Sequence, residues 1–228
     1  MTMTHPEPKG FSIICVFNDQ NKLDKYLVES LKNQKTACEL IAIDNRTQRF
    51  KCAATVLNAA AARAKYDLLM FVHQDVALGS DTWLADARND ISRLENFGAA
   101  GVAGNSARGL VAGVYHGNPP EPIGRARLTK PVPVQTVDGC LLIVPKKLFL
   151  ETGFDARTCP GWYLYVANFC LDMARLGRRV YVLPREIYHE STGPGNRRVF
   201  DEARRNIINK HRDQVDMIYT TVGEWKTG

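Results

Sequence analysis

Leu68-Leu69-Met70-Phe71-Val72-His73-Gln74-Asp75-Val76 is the stretch on which the reading of the whole chain turns. Five apolar residues run without alternation and end in an imidazole and a carboxylate two positions apart. A strand covered on both faces reads as a continuous apolar run, because both sets of its side chains are buried. In open α/β sheets, ligands collect beyond the carboxyl ends of the strands. The stretch therefore predicts a central strand with His73 and Asp75 at the rim of a site, and both side chains can ligate a divalent ion. The same residues also fit a strand that simply meets solvent, with Asp75 capping a turn.

Upstream, Ser12 to Phe17 predicts a first strand, followed by the cap-forming residues Asn18-Asp19-Gln20-Asn21. Leu23, Tyr26, Leu27 and Leu31 then recur at helical spacing. Glu39 to Asp44 predicts a second strand ending in Asp44-Asn45-Arg46. Ala53 to Ala64 is an alanine-rich helix with Val56, Leu57 and Ala60 on one face. Downstream, Gly79-Ser80-Asp81 opens a helix with Trp83, Leu84, Ala87, Ile91 and Leu94 inside, and Ala99 to Ala103 predicts a fourth strand. Strands separated by helices predict an α/β fold with a doubly wound, mostly parallel sheet flanked by helices. Its crossovers are right-handed, so Asn18-Asp19, Asp44-Asn45 and His73-Asp75 converge on one rim. That convergence favours the site over the solvent-facing turn.

The second half changes character. Between Gly104 and Val137, Gly and Pro are frequent, and Asn118-Pro119-Pro120-Glu121-Pro122 breaks regular structure, so an irregular insertion is expected. Val132 to Val137 and Leu141 to Val144 predict strands flanking Asp138-Gly139. Pro145 to Leu150 predicts a short helix, Trp162 to Leu176 a longer one with Leu164, Phe169, Leu171 and Met173 inside, and Arg179 to Leu183 a strand. Ile187 to His189 precedes a turn-like Ser191 to Gly195, and Val199 to His211 predicts a basic helix.

With 228 residues the chain can bury a full core. No apolar run approaches the roughly 20 residues that span a bilayer, and the polar start from Met1 to Gly10 does not resemble a secretion signal. The six cysteines form no C-x-x-C pair, so a zinc knuckle is unsupported. Cys15, Cys140 and Cys170 read as small core residues, and a reducing cytoplasmic location is expected. The net charge of +6 comes from scattered clusters at Arg125 to Lys130, Arg178-Arg179 and Arg197 to Arg205. No nucleic-acid recognition motif accompanies it. A basic balance suits anionic small ligands such as nucleoside diphosphates, or peripheral contact with an anionic membrane.

The order of these segments resembles the family-two glycosyltransferases of the GT-A fold, and among them the small bacterial group related to a streptomycin-biosynthesis protein. The pieces that carry the resemblance run from Ser12–Asp19 through Ile43-Asp44-Asn45, Leu57–Ala64, Phe71–Val76, Val137-Asp138-Gly139, Gly153-Phe154-Asp155 and Gly177–Pro184 to Tyr188-His189-Glu190-Ser191. The resemblance implies a Rossmann-like, mostly parallel sheet with an irregular acceptor-side insertion. It implies a flexible start over 1–10, a nucleotide-binding half over 11–103, an acceptor-side half over 104–195, and a C-terminal helix and tail over 196–228.

By the same resemblance the chain takes a UDP- or GDP-type sugar donor and an unknown acceptor, and transfers the sugar with inversion. Asn18, Asp19, Asp44, Asn45, His73, Gln74 and Asp75 would lie along the nucleotide, with Asp44 accepting from a base N–H. His73, Asp75 and His189 would hold Mn²⁺ or Mg²⁺. Two imidazoles and one carboxylate suit Mn²⁺ better. Trp162 and Tyr163 would flank the acceptor.

One departure matters. Relatives carry acidic residues near the start of the helix that begins around Trp162, and this chain has Val166 and Asn168 there. Neither can take the acceptor's proton. Asp138 and Asp155 are the remaining candidates. Asp172, six residues beyond Val166, lies about 9 Å further along the helix axis. The alternative implied by this departure is an inactive relative that binds nucleotide or sugar, or scaffolds a partner.

Overall fold

The computed structural model describes residues 8–123, 128–190 and 196–228. The predicted turn over 191–195 and residues 125–127 of the Arg125 to Lys130 cluster lie outside the described residues.

Strands β1 (Phe11–Phe17), β2 (Cys38–Asp44) and β3 (Leu68–Val72) form the parallel half of the central sheet, with β1 between β2 and β3. Around and beyond them come β4 (Val76–Leu78), β5 (Phe97–Gly101), β6 (Ala103–Asn105), β7 (Val111–Ala112), β8 (Val114–His116) and β9 (Glu121–Ile123). They are followed by β10 (Val132–Val134), β11 (Thr136–Val137), β12 (Leu141–Pro145), β13 (Arg179–Val182), β14 (Ile187–His189), β15 (Met217–Thr220) and β16 (Gly223–Lys226). The central sheet has seven strands in the order β10-β13-β5-β12-β3-β1-β2. β12 runs against both β3 and β5, β13 runs with β5, and β10 runs against β13. Five strands thus share one direction and two oppose it.

β3 shows why its apolar run is unbroken. Leu69 and Phe71 pack into the core on one face, with Ile14, Leu142 and Val144. Leu68, Met70 and Val72 pack into the other, with Ile13, Cys15 and Ile143. All five residues are buried, as a strand with helices or further chain on both sides requires. Cys15, Cys140 and Cys170 are buried in these cores.

The helices cover both faces. The first helical segment comprises α1 (Gln20–Lys22), a π-helical stretch over Leu23–Val28 and α2 (Glu29–Leu31). It is followed by α3 (Ala53–Ala61), α4 (Trp83–Ile91), α5 (Lys146–Thr152), α6 (Tyr165–Arg175) and α7 (Arg197–His211). α6 starts later than the sequence pattern suggests. Leu164 adopts a left-handed backbone with φ of 62°, which an L side chain disfavours and which no helix continues through.

Three further expectations change. Residues 132–137 form two strands rather than one, because the chain switches sheets there: β10 pairs with β13, and β11 pairs with β6. The described residues of the insertion over 104–137 are more regular than its Gly and Pro content suggests, and its strands enter two small sheets, β11-β6-β7 and, together with β4 and β14, β4-β14-β8-β9. The end of the chain is not a bare tail. β15 and β16 pair as an antiparallel hairpin.

Candidate functional site

β3 ends at Val72, and His73 extends its ladder by donating its backbone N–H to the Cys140 carbonyl (2.9 Å). That bond sets the end of β3 against the turn before β12, which contains Asp138. From the other side, β14 pairs with β4 so that His189 stands opposite Val76, and Glu190 N–H reaches the Asp75 carbonyl (3.2 Å). Two strand pairings thus bring three residues together that are up to 116 positions apart. His73 Nδ1 lies 3.4 Å from His189 Nε2, and His189 Nε2 lies 3.5 Å from Asp75 Oδ1. One ligand atom from each of the three falls within 4.8 Å of the others. Asp75 and His189 are buried. Burial lowers the pKa of His73, and the neighbouring His189 adds to the effect, which favours the neutral imidazole that a metal requires. Two imidazole nitrogens and one carboxylate oxygen at this spacing fit a mid-series divalent ion.

The cluster opens into a cleft of about 980 Å³ that also receives Asn18, Asn45, Asp138, Trp162, Tyr163 and Val166. That volume is at the upper end for a small-molecule site.

The structure sorts the other sequence candidates. Gln74 lines the cleft, and its side chain ties β1 to β3. Its Oε1 accepts the backbone N–H groups of Asn18 (2.8 Å) and Asp19 (2.9 Å), and its Nε2 donates to Asn18 Oδ1 (2.7 Å). Asp19 is outside the cleft lining and caps α1, accepting from the N–H groups of Asn21 and Lys22. The Asn45 amide closes its own loop, exchanging hydrogen bonds with the N–H and C=O of Phe50. Asp44 is not brought into the cleft lining. Arg46 grips it through its side chain and its backbone N–H, which pulls its pKa down to about 2.

Asp155 is likewise outside the lining. Burial opposes its ionisation, but the Thr158 hydroxyl and backbone N–H and the Lys210 ammonium outweigh that and hold its carboxyl well below the usual range. Asp138 lies in the cleft wall. Its Oδ1 accepts the Cys140 N–H (2.8 Å) and its Oδ2 the Thr221 hydroxyl (2.5 Å). Burial works against its charge, yet these donors keep its pKa below the ordinary value.

Val166 and Asn168 part company. Residues two apart on a helix point to nearly opposite sides. Val166 lines the cleft, whereas Asn168 is fully buried away from it. There Asn168 Oδ1 meets His211 Nε2 (3.0 Å), and its Nδ2 donates to Asp172 (3.2 Å). Asn168 thus docks α7 onto α6.

The sequence reading missed His116, Phe200 and Thr221, which also line the cleft. His116 Nδ1 contacts the His189 carbonyl. No motif marks it. The hairpin that carries Thr221 left a faint sign, the β-prone run Met217-Ile218-Tyr219-Thr220 followed by Thr221-Val222 ahead of Gly223.

A mixed central sheet with helices on both faces and a His/Asp cluster at its strand ends is the GT-A architecture of glycosyltransferases. The chain belongs to the glycosyltransferase-like family, whose model matches residues 12–191. It is 27% identical over 213 residues to the protein called "ATP synthase subunits region ORF 6" of Fuscovulum blasticum, covering 89% of this chain and 83% of that one. Its fold is similar to GalNAc-T7 solved with UDP, GalNAc and Mn²⁺, at a TM-score of 0.64 and 13% identity over 88% of this chain and 48% of that one. It is similar also to S. aureus TarS 1-349, at a TM-score of 0.59 and 16% identity over 88% of this chain and 64% of that one. The TarS fragment bound to UDP-GlcNAc matches at a TM-score of 0.58 and 14% identity, over 88% of this chain and 66% of that one. The chain spans about half the length of GalNAc-T7. Among the described residues, no helix is long and apolar enough to cross a membrane.

Proposed function

We propose that the chain transfers a sugar, with inversion, from a UDP- or GDP-type donor to an acceptor hydroxyl, using a divalent ion held by His73, Asp75 and His189. The observation that carries this reading is the meeting of those three side chains at the strand ends, inside a cleft large enough for a nucleotide sugar. The presence of UDP and Mn²⁺ with GalNAc-T7, and of UDP-GlcNAc with TarS, supports it. When bound, the ion would neutralise charge on the departing diphosphate.

The rest falls to the chain itself. Asn18 and the Asn45 loop border the donor end. Among the described residues lining the cleft, Asp75 and Asp138 are the carboxylates. With Asp75 assigned to the ion, Asp138 is the group that takes the acceptor's proton. The acceptor oxygen bonds to the anomeric carbon as the bond from that carbon to the diphosphate breaks, and the hydroxyl proton passes to the Asp138 carboxylate. Trp162 offers an aromatic face for a sugar ring.

A second reading is favoured by one observation. Val166 stands in the cleft wall at a position where the family resemblance implies an acidic residue, so a chain that binds nucleotide without transferring sugar fits the same site. Calorimetry with UDP and GDP, with and without Mn²⁺ or Mg²⁺, tests binding. Donor-sugar release from a panel of nucleotide sugars tests transfer. Metal-dependent binding with turnover supports the transferase, binding without turnover supports the second reading, and no binding under any metal condition sinks both.

A further inference from the structure

Residues 192–228 lie beyond the part of the chain that the family model matches, yet the β15–β16 hairpin reaches back into the cleft. Its anchoring is specific. The Gln135 side chain accepts the Tyr219 N–H (2.6 Å) and donates to the Met217 carbonyl (2.9 Å). The Thr136 hydroxyl donates to the Tyr219 carbonyl (2.6 Å), and Asn105 Nδ2 donates to the Thr220 carbonyl (3.0 Å). Gln135 and Thr136 immediately precede the Asp138 turn, so the hairpin and that turn are held as one unit. At the hairpin's tip, the Thr221 hydroxyl donates to Asp138 Oδ2 while the Cys140 N–H occupies Oδ1. Donors on both oxygens fix the plane of the carboxylate. The Cys140 thiol is a third partner of the same group, and of the about four lone-pair sites a carboxylate offers, one remains for a further donor.

We infer that the C-terminal hairpin forms a wall of the cleft and that Thr221 is a positioning residue, orienting the Asp138 carboxylate toward the acceptor hydroxyl. This rests on the transferase reading, because only there does Asp138 face an acceptor. A misdirected base loses rate steeply, since the reacting atoms must start close to their final geometry.

The test compares the full chain with Thr221→Val and Thr221→Ser. Titration of the Asp138 carboxyl carbon by NMR reads the tether without any nucleotide. In Thr221→Val the midpoint moves up, because a donor to the charged form is gone, and in Thr221→Ser it stays near wild type. Consumption of UDP-glucose and UDP-N-acetylglucosamine with Mn²⁺ reads its effect. In Thr221→Val, kcat falls roughly 10- to 100-fold while the UDP dissociation constant is unchanged, and serine restores the rate. An Asp138 titration identical in wild type and Thr221→Val overturns the tether. A wild-type kcat in Thr221→Val overturns the positioning role, as does a loss of UDP affinity equal to the loss of rate. If wild type binds neither UDP nor GDP, or consumes no donor of the nucleotide-sugar panel, the positioning role falls with the transferase reading, and a shifted Asp138 titration then shows that the tether itself was correctly placed.

Discussion

At one end of the cleft His73, Asp75 and His189 offer three ligand atoms within 4.8 Å. At the other, Trp162, Leu164, Val166 and Phe200 offer none. The polar end is built on β3, β4 and β14, whose positions are set by backbone pairing within the sheets. The apolar end is built on the chain leading into α6 and on the C-terminal segment, whose positions depend on side-chain contacts. Leu164 is part of that second construction. Its left-handed backbone costs on the order of 1–3 kcal/mol, and the surrounding packing sustains it at the cleft wall. Under the proposed function, the contrast assigns metal and nucleotide binding to a part of the cleft built by strand pairing, separate from the part built by side-chain packing.

The largest effect expected at the polar end comes from Asp75→Ala. It removes the one carboxylate of the cluster and should reduce metal-dependent UDP binding below calorimetric detection. If Asp75→Ala binds UDP·Mn²⁺ as wild type does, the two ends do not divide the labour as described. Asp138→Asn should lower kcat by roughly 10²- to 10⁴-fold, the usual contribution of a proton acceptor, with UDP affinity kept. The pH profile carries the same information. Asp138 has a lowered pKa, so its basic form is present at neutral pH and is lost only as the pH falls through that lowered value. The acid limb of kcat in wild type should therefore lie below about 3.9, the ordinary aspartate value.

Smaller effects sharpen the division. Asn168→Ala should cost about 1–3 kcal/mol in urea unfolding, because His211 and Asp172 each lose a buried or part-buried partner, and it should leave UDP affinity within twofold. A large loss of affinity would return Asn168 to the site. Asp44→Asn should change UDP affinity least, since Arg46 already engages its carboxylate outside the cleft.

The polar end was the more legible in the sequence. An unbroken apolar run carries its own meaning, a doubly covered strand, whereas a site at His73 and Asp75 needed the convergence of three strand ends to be favoured over a solvent-facing turn. His189 was reachable only through a resemblance. What delivers it is the pairing of β14 with β4, and nothing in either segment names the other. Asp44 was ambiguous in the sequence, because a carboxylate at a strand end looks the same whether it faces a ligand or its own neighbour two residues on. Residues 166 and 168 were read as equivalent, although helical geometry alone separates them. The hairpin escaped because its strands are only four residues each, too short for alternation to stand out against a charged surface.

The Gln74 tie gives the molecule a built-in reporter. The amide protons of Asn18 and Asp19 both end on Gln74 Oε1, and Gln74 sits between His73 and Asp75. Under the proposed function, a reshaping of that loop on ion binding would lengthen or shorten two specific N–H···O contacts at the end of β1. Their exchange rates with deuterium and their proton chemical shifts would then register occupancy of the cluster at a distance, in a spectrum that needs neither a coloured metal nor a known sugar.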